Sequence, residues 1–246
     1  MTSSILQYSL FLYIIIISYY NVESKIYYVN NPSTSSKSSM TVPILPSGEQ
    51  TTHKIQSSTS SEPVLKPSMS DNEILLLQKY CSQSKSYFEY GMGGSTYFCR
   101  HIPSIIAIDS DKNWINKVQT YIPHGQFHHI DIGKVGAWGN PIQPFNITNW
   151  PSYPMAIQTY GNKNIDLVLI DGRFRVACAL QVWLYDISSY VLIHDFEREG
   201  YQPVLEFYTI LERIDNLVVL QKKKDTVNLL RIRVEEVYQQ YKYIYQ

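Results

Sequence analysis

The stretch "YFEYGMGGSTYFC", residues 87–99, decides the fold. An apolar, aromatic run ends in an acid and is followed by three glycines and a Ser-Thr pair. Glycines adopt backbone torsions that other residues disfavour, and they let a ligand approach the chain closely. The stretch therefore predicts a strand that turns into a helix whose first N–H groups face a binding site. The residues of this turn that we expect to contact a ligand are Glu89, Gly91, Gly93, Gly94 and Ser95.

From residue 71 onward, short β-branched or aromatic runs alternate with helical periodicity, which is typical of an α/β sheet with crossover helices. Asp71 is the expected N-cap of the first helix. Strands are predicted at residues 86–90, 104–109, 126–131, 164–171 and 189–195. Residues 203–214 predict a helix, and residues 216–234 predict two strands joined by a basic turn. The fold class is a Rossmann-like, doubly wound, mostly parallel sheet with an antiparallel hairpin at its end.

Carboxylates follow the other predicted strands, as Glu89 follows the first. In an open parallel sheet, ligands bind outside the carboxyl ends of the strands. Asp109 lies about twenty residues after the glycine turn, where such folds place an acid that hydrogen-bonds ribose hydroxyls. The spacing predicts an adenosine ligand; the alternative is a tight strand-to-helix connection with Asp109 as a helix N-cap. The later strand ends carry Asp131, Asp171, His194 and Asp195.

Two motifs resemble those of a known superfamily. "FEYGMGGST", residues 88–96, is similar to the first motif of class I S-adenosylmethionine-dependent methyltransferases. "LIDGRFRVACAL" and "VLIHDF", residues 169–180 and 191–196, resemble uncharacterised methyltransferase-like proteins and, more distantly, sugar and macrolide O-methyltransferases. The resemblance implies a seven-stranded sheet and an S-adenosyl-L-methionine site. It implies cofactor contacts from Glu89, Gly91, Gly93 and Asp109, with Asp131 near the adenine.

The resemblance also implies roles for the strand ends near the acceptor. Metal-dependent relatives hold a divalent cation at positions that match Asp171 and Asp195, which implies Mg²⁺. His194 stands where several of them have a second carboxylate, and a neutral imidazole is a poor magnesium ligand, so a metal-free site stays open. His194 or Asp171 is then the expected base for a hydroxyl acceptor. From the residues alone, Arg173 and Arg175 oppose the dipole at the start of the predicted helix, so we expect them to face an acidic substrate group, the cofactor carboxylate, or Asp171 and Asp195.

The composition narrows the choice of partners. The 246 residues carry 21 basic and 21 acidic side chains, so no summed field attracts nucleic acid. We therefore expect a small-molecule or glycan substrate and O-methylation of a hydroxyl. A non-catalytic binding or scaffolding module is the alternative, and a nicotinamide-dependent oxidoreductase is disfavoured because the third spaced glycine is missing. The three cysteines are expected to be buried, with a disulfide between Cys81 and Cys99 as a further option.

The N-terminal segments differ in composition from the rest. Residues 5–20 contain no charge, which predicts a signal anchor or signal peptide over residues 1–24. Residues 25–70 are rich in Ser, Thr and Pro and predict a disordered stalk. The methyltransferase-like domain is expected over residues 71–246. This layout predicts a single-pass membrane protein of the secretory pathway, or a secreted protein if the segment is cleaved.

Overall fold

A seven-stranded sheet organises the protein. The structure, a computed structural model, describes residues 65–142, 147–187, 189–224 and 229–245. The strand order is β3-β2-β1-β4-β5-β7-β6. The strands are β1 Ser86–Tyr90, β2 Ser104–Asp109, β3 Gln126–His129, β4 Leu167–Ile170, β5 Tyr190–Ile193, β6 Tyr208–Ile214 and β7 Leu217–Lys222. The helices are α1 Asp71–Cys81, α2 Gly94–Phe98, α3 Lys112–Gln119, α4 Ala156–Tyr160, α5 Arg175–Tyr185 and α6 Leu229–Tyr241.

The strand directions confirm the predicted fold. Strands β1 to β5 are parallel, and β7 is antiparallel to both β5 and β6. Every residue of β1 and β4 is buried, as expected for central strands that helices cover on both faces. Two hydrophobic clusters form, one on each face of the sheet. The carboxyl ends of the five parallel strands therefore meet at one edge, and the candidate site lies there.

The C-terminal part differs from the prediction. Residues 203–214 do not form a helix, because a 3₁₀ segment, Glu199–Glu206, is followed by strand β6. The terminal hairpin is formed by β6 and β7, whereas residues 229–241 form helix α6. The alternation in "LLRIRV" is typical of a strand, but the buried residues Val234, Val237 and Tyr238 recur at helical spacing. Packing of α6 against α5 decides the conformation here.

The start of α1 also corrects one prediction. Ser70, and not Asp71, is the N-cap: its hydroxyl accepts the N–H of Glu73 at 3.2 Å. The Glu73 carboxylate accepts the N–H of Ser70 in return at 2.7 Å, which completes a capping box. Leu65 and Pro67, just before this helix, are buried. The chain from Leu65 therefore packs on the sheet domain.

A disulfide joins Cys81 at the end of α1 to Cys99 after α2, with a Cα–Cα distance of 5.7 Å. Cys178 is buried and unpaired. The predicted signal anchor and nearly all of the predicted stalk lie outside the described residues. None of the helices described here is long and apolar enough to cross a bilayer.

Candidate active site at the carboxyl edge of the sheet

The glycine turn after β1 packs tightly on two sides. Gly91 has a positive φ of 86°, and a Cβ there would overlap the backbone of Gly172 in the turn after β4. A Cβ on Gly94 would overlap the backbone of Lys66 and Pro67. Gly93 is extended, and a Cβ there would only touch the Trp114 ring at 3.6 Å. The fold thus requires glycine at positions 91 and 94, whereas Gly93 is buried with the Trp114 ring on the side where a Cβ would lie.

Glu89, in strand β1, supports this turn from the interior of the protein. Its side chain is fully buried, and its Oε1 accepts the hydroxyl of Ser95, whereas its Oε2 has no partner. Burial raises the pKa of this carboxyl to about 8, against the opposing effect of its hydroxyl partners, so it is mostly protonated at neutral pH. Thr96 accepts the N–H of Gly93 at 2.8 Å. Glu89 and Ser95 therefore hold the turn in shape, and the described contacts do not bring the Glu89 carboxyl to the surface of the site.

Asp109 ends β2, the strand next to β1. Its side chain is 9% exposed, and its Oδ1 accepts the N–H of Asp111 at 2.8 Å. Burial raises the pKa of the Asp109 carboxyl to about 6, so it is ionised at neutral pH. No described Lys, Arg or His forms an ion pair with it. Asp131, by contrast, is exposed and accepts the N–H of Gly133 at 2.8 Å.

The ends of β4 and β5 bring together Asp171, His194 and Asp195, as predicted. Their ligand atoms lie within 4.8 Å of one another. His194 Nδ1 is 3.0 Å from Asp171 Oδ1 and 3.7 Å from Asp195 Oδ1. On the opposite side of the ring, Nε2 is 3.5 Å from the carboxylate of Glu73 in α1. The imidazole thus lies among three carboxylates.

Arg175 occupies the space between the two aspartates. Its guanidinium is 3% exposed, and Nη2 lies 3.2 Å from Asp171 Oδ1 and 3.1 Å from Asp195 Oδ2. It also donates to the backbone carbonyls of Gly172, Asp171 and His194. A divalent cation bridging the two carboxylates would lie beside this buried guanidinium, whose positive charge opposes it. The donor set does not fit Mg²⁺.

With Arg198 included, the three carboxylates of this group are balanced by three cations when His194 is protonated. Arg198 adds a second cation, 2.6 Å from Asp195. Burial lowers the pKa of His194, but the hydrogen bond to Asp171 and the charges of Asp171, Asp195 and Glu73 outweigh it, so the pKa lies above its ordinary value. We call Glu73, Asp171, Arg175, His194 and Asp195 the paired cluster.

Arg173 has different surroundings. It is 8% exposed, and its Nη1 donates to Asn140 Oδ1 at 2.7 Å, whereas its Nε is buried without an acceptor. No described carboxylate forms an ion pair with it. Burial, and secondly the charge of Arg175, lowers the pKa of Arg173 below its ordinary value.

Strained backbone marks both turns. Phe174, between the two arginines, has φ 55°, and Asp195 has φ 58°. A bulky residue such as Phe174 rarely adopts such torsions, which concentrate at ligand sites, whereas Asp adopts them more readily. The loop after β3 adds a third case, because Trp138 has φ 61° and is 77% exposed. Hydrogen bonds between Gly136 and Asn140 and between Lys134 and Ile142 close this loop.

An open cavity of about 730 Å³ borders the paired cluster. Glu73, His194 and Asp195 line one side, and residues 66–70 line another. Because Lys66 and Pro67 also lie against Gly94, the cavity and the glycine turn share a wall. A ligand on the glycine turn and a second ligand in the cavity would therefore be neighbours.

Sequence reasoning missed two residues of this site. Glu73 lies in α1, before β1, and so follows none of the predicted strands. The pattern Ser70-x-x-Glu73 is the signature of a capping box and could have indicated an inward-facing carboxylate. Asn140, the acceptor for Arg173, lies in an irregular loop and carried no such signal.

Comparisons with known proteins agree with this architecture. The chain is similar to the structure of a methyltransferase-like protein from Silicibacter pomeroyi DSS-3, with 27% identity, a TM-score of 0.61 and coverage of 69% of this chain and 96% of that one. It shares the fold of that methyltransferase-like protein. No protein-family profile matches the chain, and no curated protein matches it in sequence.

Two weaker structural matches were also found. One is a TehB-like SAM-dependent methyltransferase from Corynebacterium glutamicum, with 10% identity, a TM-score of 0.38 and coverage of 60% and 87% of the two chains. The other is a putative type 11 methyltransferase from Sulfolobus solfataricus, with 11% identity, a TM-score of 0.38 and coverage of 63% and 94%. These two carry no argument at this level of similarity.

Proposed function

We propose that the protein is an S-adenosyl-L-methionine-dependent methyltransferase that methylates a hydroxyl group. The observation that carries the proposal is the glycine turn after β1 beside the buried carboxylate of Asp109, which ends the adjacent strand β2 and has no ion-pair partner among the described residues. The first admits a ligand against the backbone, and the second accepts hydrogen bonds from ribose hydroxyls. The likeness to the methyltransferase-like protein supports it.

Glu89 and Ser95 contribute indirectly, because they fix the turn on which the cofactor lies. Gly91 and Gly94 contribute by allowing that turn to pack against the β4 turn and the Lys66–Pro67 backbone. Asp131 remains a proposed neighbour of the adenine, at the end of the strand next to β2. The cofactor supplies an activated methyl group, so the protein's main task is to align the acceptor with it.

The acceptor's proton must also be removed. Asp171 holds His194 through Nδ1 at 3.0 Å, which leaves Nε2 directed toward Glu73 and the cavity. We assign His194 as the general base, oriented by Asp171, with Asp195 and Arg175 fixing the charge around it. The raised pKa of His194 makes the neutral imidazole a stronger base, and it predicts that turnover increases as pH rises through that pKa.

A sugar or other cyclic small molecule is the acceptor class we propose. Trp138 presents a largely exposed ring from a loop closed by its own hydrogen bonds, and such a ring can stack on a sugar face. The side chain of Asn140, which donates to the carbonyl of Ala137 at 3.0 Å, stiffens the same loop.

We further propose that residues 1–24 direct the chain into the secretory pathway, as an anchor or as a cleaved signal. The disulfide between Cys81 and Cys99 supports this, because disulfides persist in oxidising compartments. Mass spectrometry of unreduced peptides from the native protein should recover these two cysteines as one linked pair. Two reduced peptides would contradict the proposal.

Calorimetric titration of the full chain with S-adenosylhomocysteine tests the cofactor assignment. We expect binding in the wild type, none in Asp109→Ala, and wild-type affinity in Asp171→Ala and His194→Ala. With labelled S-adenosylmethionine and a panel of glycans and small hydroxyl compounds, the last two variants should lose turnover. Equal affinity in the wild type and Asp109→Ala would contradict the ribose assignment.

A further inference from the structure

Arg173 is a buried cation without a counter-charge. It is 8% exposed, its Nε has no acceptor, and no described carboxylate forms an ion pair with it. Buried charges in proteins are normally paired and hydrogen-bonded, because an isolated charge in the interior is costly. The missing partner therefore needs an explanation.

Neighbouring arginines show that carboxylates were available. Arg175 contacts both Asp171 and Asp195, and Arg198 contacts Asp195 at 2.6 Å. Phe174, in its left-handed conformation, separates Arg173 from Arg175. The turn thus directs one guanidinium into the paired cluster and the other away from it.

The geometry of the Arg173 guanidinium leaves one edge available. Nη1 is bonded to Asn140, whereas the edge formed by Nε and Nη2 contacts no acceptor among the described residues. This edge can donate two parallel hydrogen bonds to a carboxylate or phosphate. Such a bidentate contact is what an arginine provides and a lysine does not.

The position of Arg173 places that edge beside the candidate cofactor site. Gly139, next to Asn140, lies against Ser110 at the end of β2, and Arg173 follows the end of β4. Because β1 lies between β2 and β4, the contact between Arg173 and Asn140 spans the carboxyl end of β1. The glycine turn is at this end.

We propose that Arg173 binds an oxyanion, a carboxylate or phosphate, of a ligand held at this edge. The inference rests on the proposed function in that this ligand is the cofactor or the acceptor of the methyl transfer. Two sources share the chemistry: the carboxylate of the cofactor's amino-acid part, and an acidic group on the acceptor.

The test compares the full-length wild type with Arg173→Met and Arg173→Lys. Arg100→Met is the matched control. Arg100 is exposed, and this substitution removes the same charge at a position away from the site. The probes for calorimetry are S-adenosylhomocysteine, 5′-methylthioadenosine, which lacks the amino-acid part, and the pair glucuronate and glucose. Unfolding curves confirm that each variant is folded.

A loss of about tenfold or more in affinity for S-adenosylhomocysteine, with unchanged affinity for 5′-methylthioadenosine, would support the proposal with the cofactor as the source. The same loss for glucuronate, with S-adenosylhomocysteine unaffected, would support it with an acidic acceptor. In both cases Arg173→Lys should recover only part of the affinity, and Arg100→Met should bind like the wild type.

Unchanged affinity of Arg173→Met for every probe that the wild type binds would overturn the proposal. Equal losses for S-adenosylhomocysteine and 5′-methylthioadenosine would also overturn it, because they indicate a general structural effect. If the wild type binds neither adenosine compound, the proposed function fails, but an Arg173-dependent preference for glucuronate over glucose would still support the oxyanion site. A wild type that binds none of the four probes would overturn both.

Discussion

Arg173 and Arg175 lie two residues apart in the turn after β4, yet one belongs to a region of balanced charges and the other does not. Arg175 sits in the paired cluster, where Asp171 and Asp195 supply opposite charges at 3.2 and 3.1 Å. Arg173 and, across the glycine turn, Asp109 are buried without an ion-pair partner among the described residues. We call Arg173 and Asp109 the unpaired charges.

Paired and unpaired buried charges contribute differently to the stability of the protein. Removing one member of a buried, paired group leaves an uncompensated charge and destabilises the protein. A buried charge that has no partner already costs stability, so its removal should be tolerated. A buried charge that costs stability and has no partner is therefore a candidate for ligand binding.

The largest effect is expected for Arg175→Met. It leaves Asp171 and Asp195 facing each other at a nearly buried site, so the free energy of unfolding should fall by about 3–5 kcal/mol. Chemical denaturation measures this. Arg198→Met is the matched control, because the Arg198 side chain is 43% exposed and its ion pair should contribute only about 0–1 kcal/mol. Equal losses of unfolding free energy in Arg175→Met and Arg198→Met would contradict the distinction between a buried and an exposed ion pair.

Arg173→Met should change stability in the other direction or not at all. An apolar side chain of similar length replaces a buried cation without a counter-charge, so the free energy of unfolding should stay within about 1 kcal/mol of the wild type or increase. A loss similar to that of Arg175→Met would show that Arg173 is a structural residue, contrary to the comparison.

A smaller effect on stability, but a large one on binding, is expected for Asp109→Asn. The amide can still accept the N–H of Asp111, whereas the charged acceptor that we propose for ribose is lost. Affinity for S-adenosylhomocysteine should fall about 10–100-fold, with unfolding nearly unchanged. Glu199→Gln, which changes an exposed carboxylate, should behave like the wild type in calorimetry.

The smallest effect is the pH dependence that His194 adds. Because its folded pKa is raised above 6.5, its stabilising contribution is complete below about pH 6.5 and is lost as pH rises through the folded value. The unfolding free energy of the wild type should therefore decrease more than that of His194→Gln over this range. Glu89, which titrates near pH 8, is common to both proteins and cancels in the difference. Parallel pH profiles would contradict a charged His194.

The sequence predicted the site better than it predicted the pairing within it. Asp109, Asp171, His194 and Asp195 could be placed at one edge, because parallel strands end on the same side of a sheet. The partner of each charge could not be predicted. The separation of Arg173 from Arg175 depends on the left-handed torsion of Phe174, which no propensity favours.

Two other features of the structure depend on tertiary contacts and could not be predicted from local sequence. Glu73 reaches His194 because α1 packs on β6, and Asn216 in the turn between β6 and β7 donates its N–H to the same carboxylate at 2.8 Å. The segment from Leu229 alternates like a strand but forms a helix, because α5 offers a surface for residues at helical spacing. Local patterns carried neither piece of information.

The most direct measurement is calorimetric titration of the full-length protein with S-adenosylhomocysteine, in the wild type, Asp109→Asn and Arg198→Met. We expect saturable binding in the wild type and in Arg198→Met. In Asp109→Asn the affinity should be weaker by about 10–100-fold. No heat of binding in the wild type at millimolar ligand, or equal affinity in all three proteins, would contradict the claim that the unpaired charges at the glycine turn form a cofactor site.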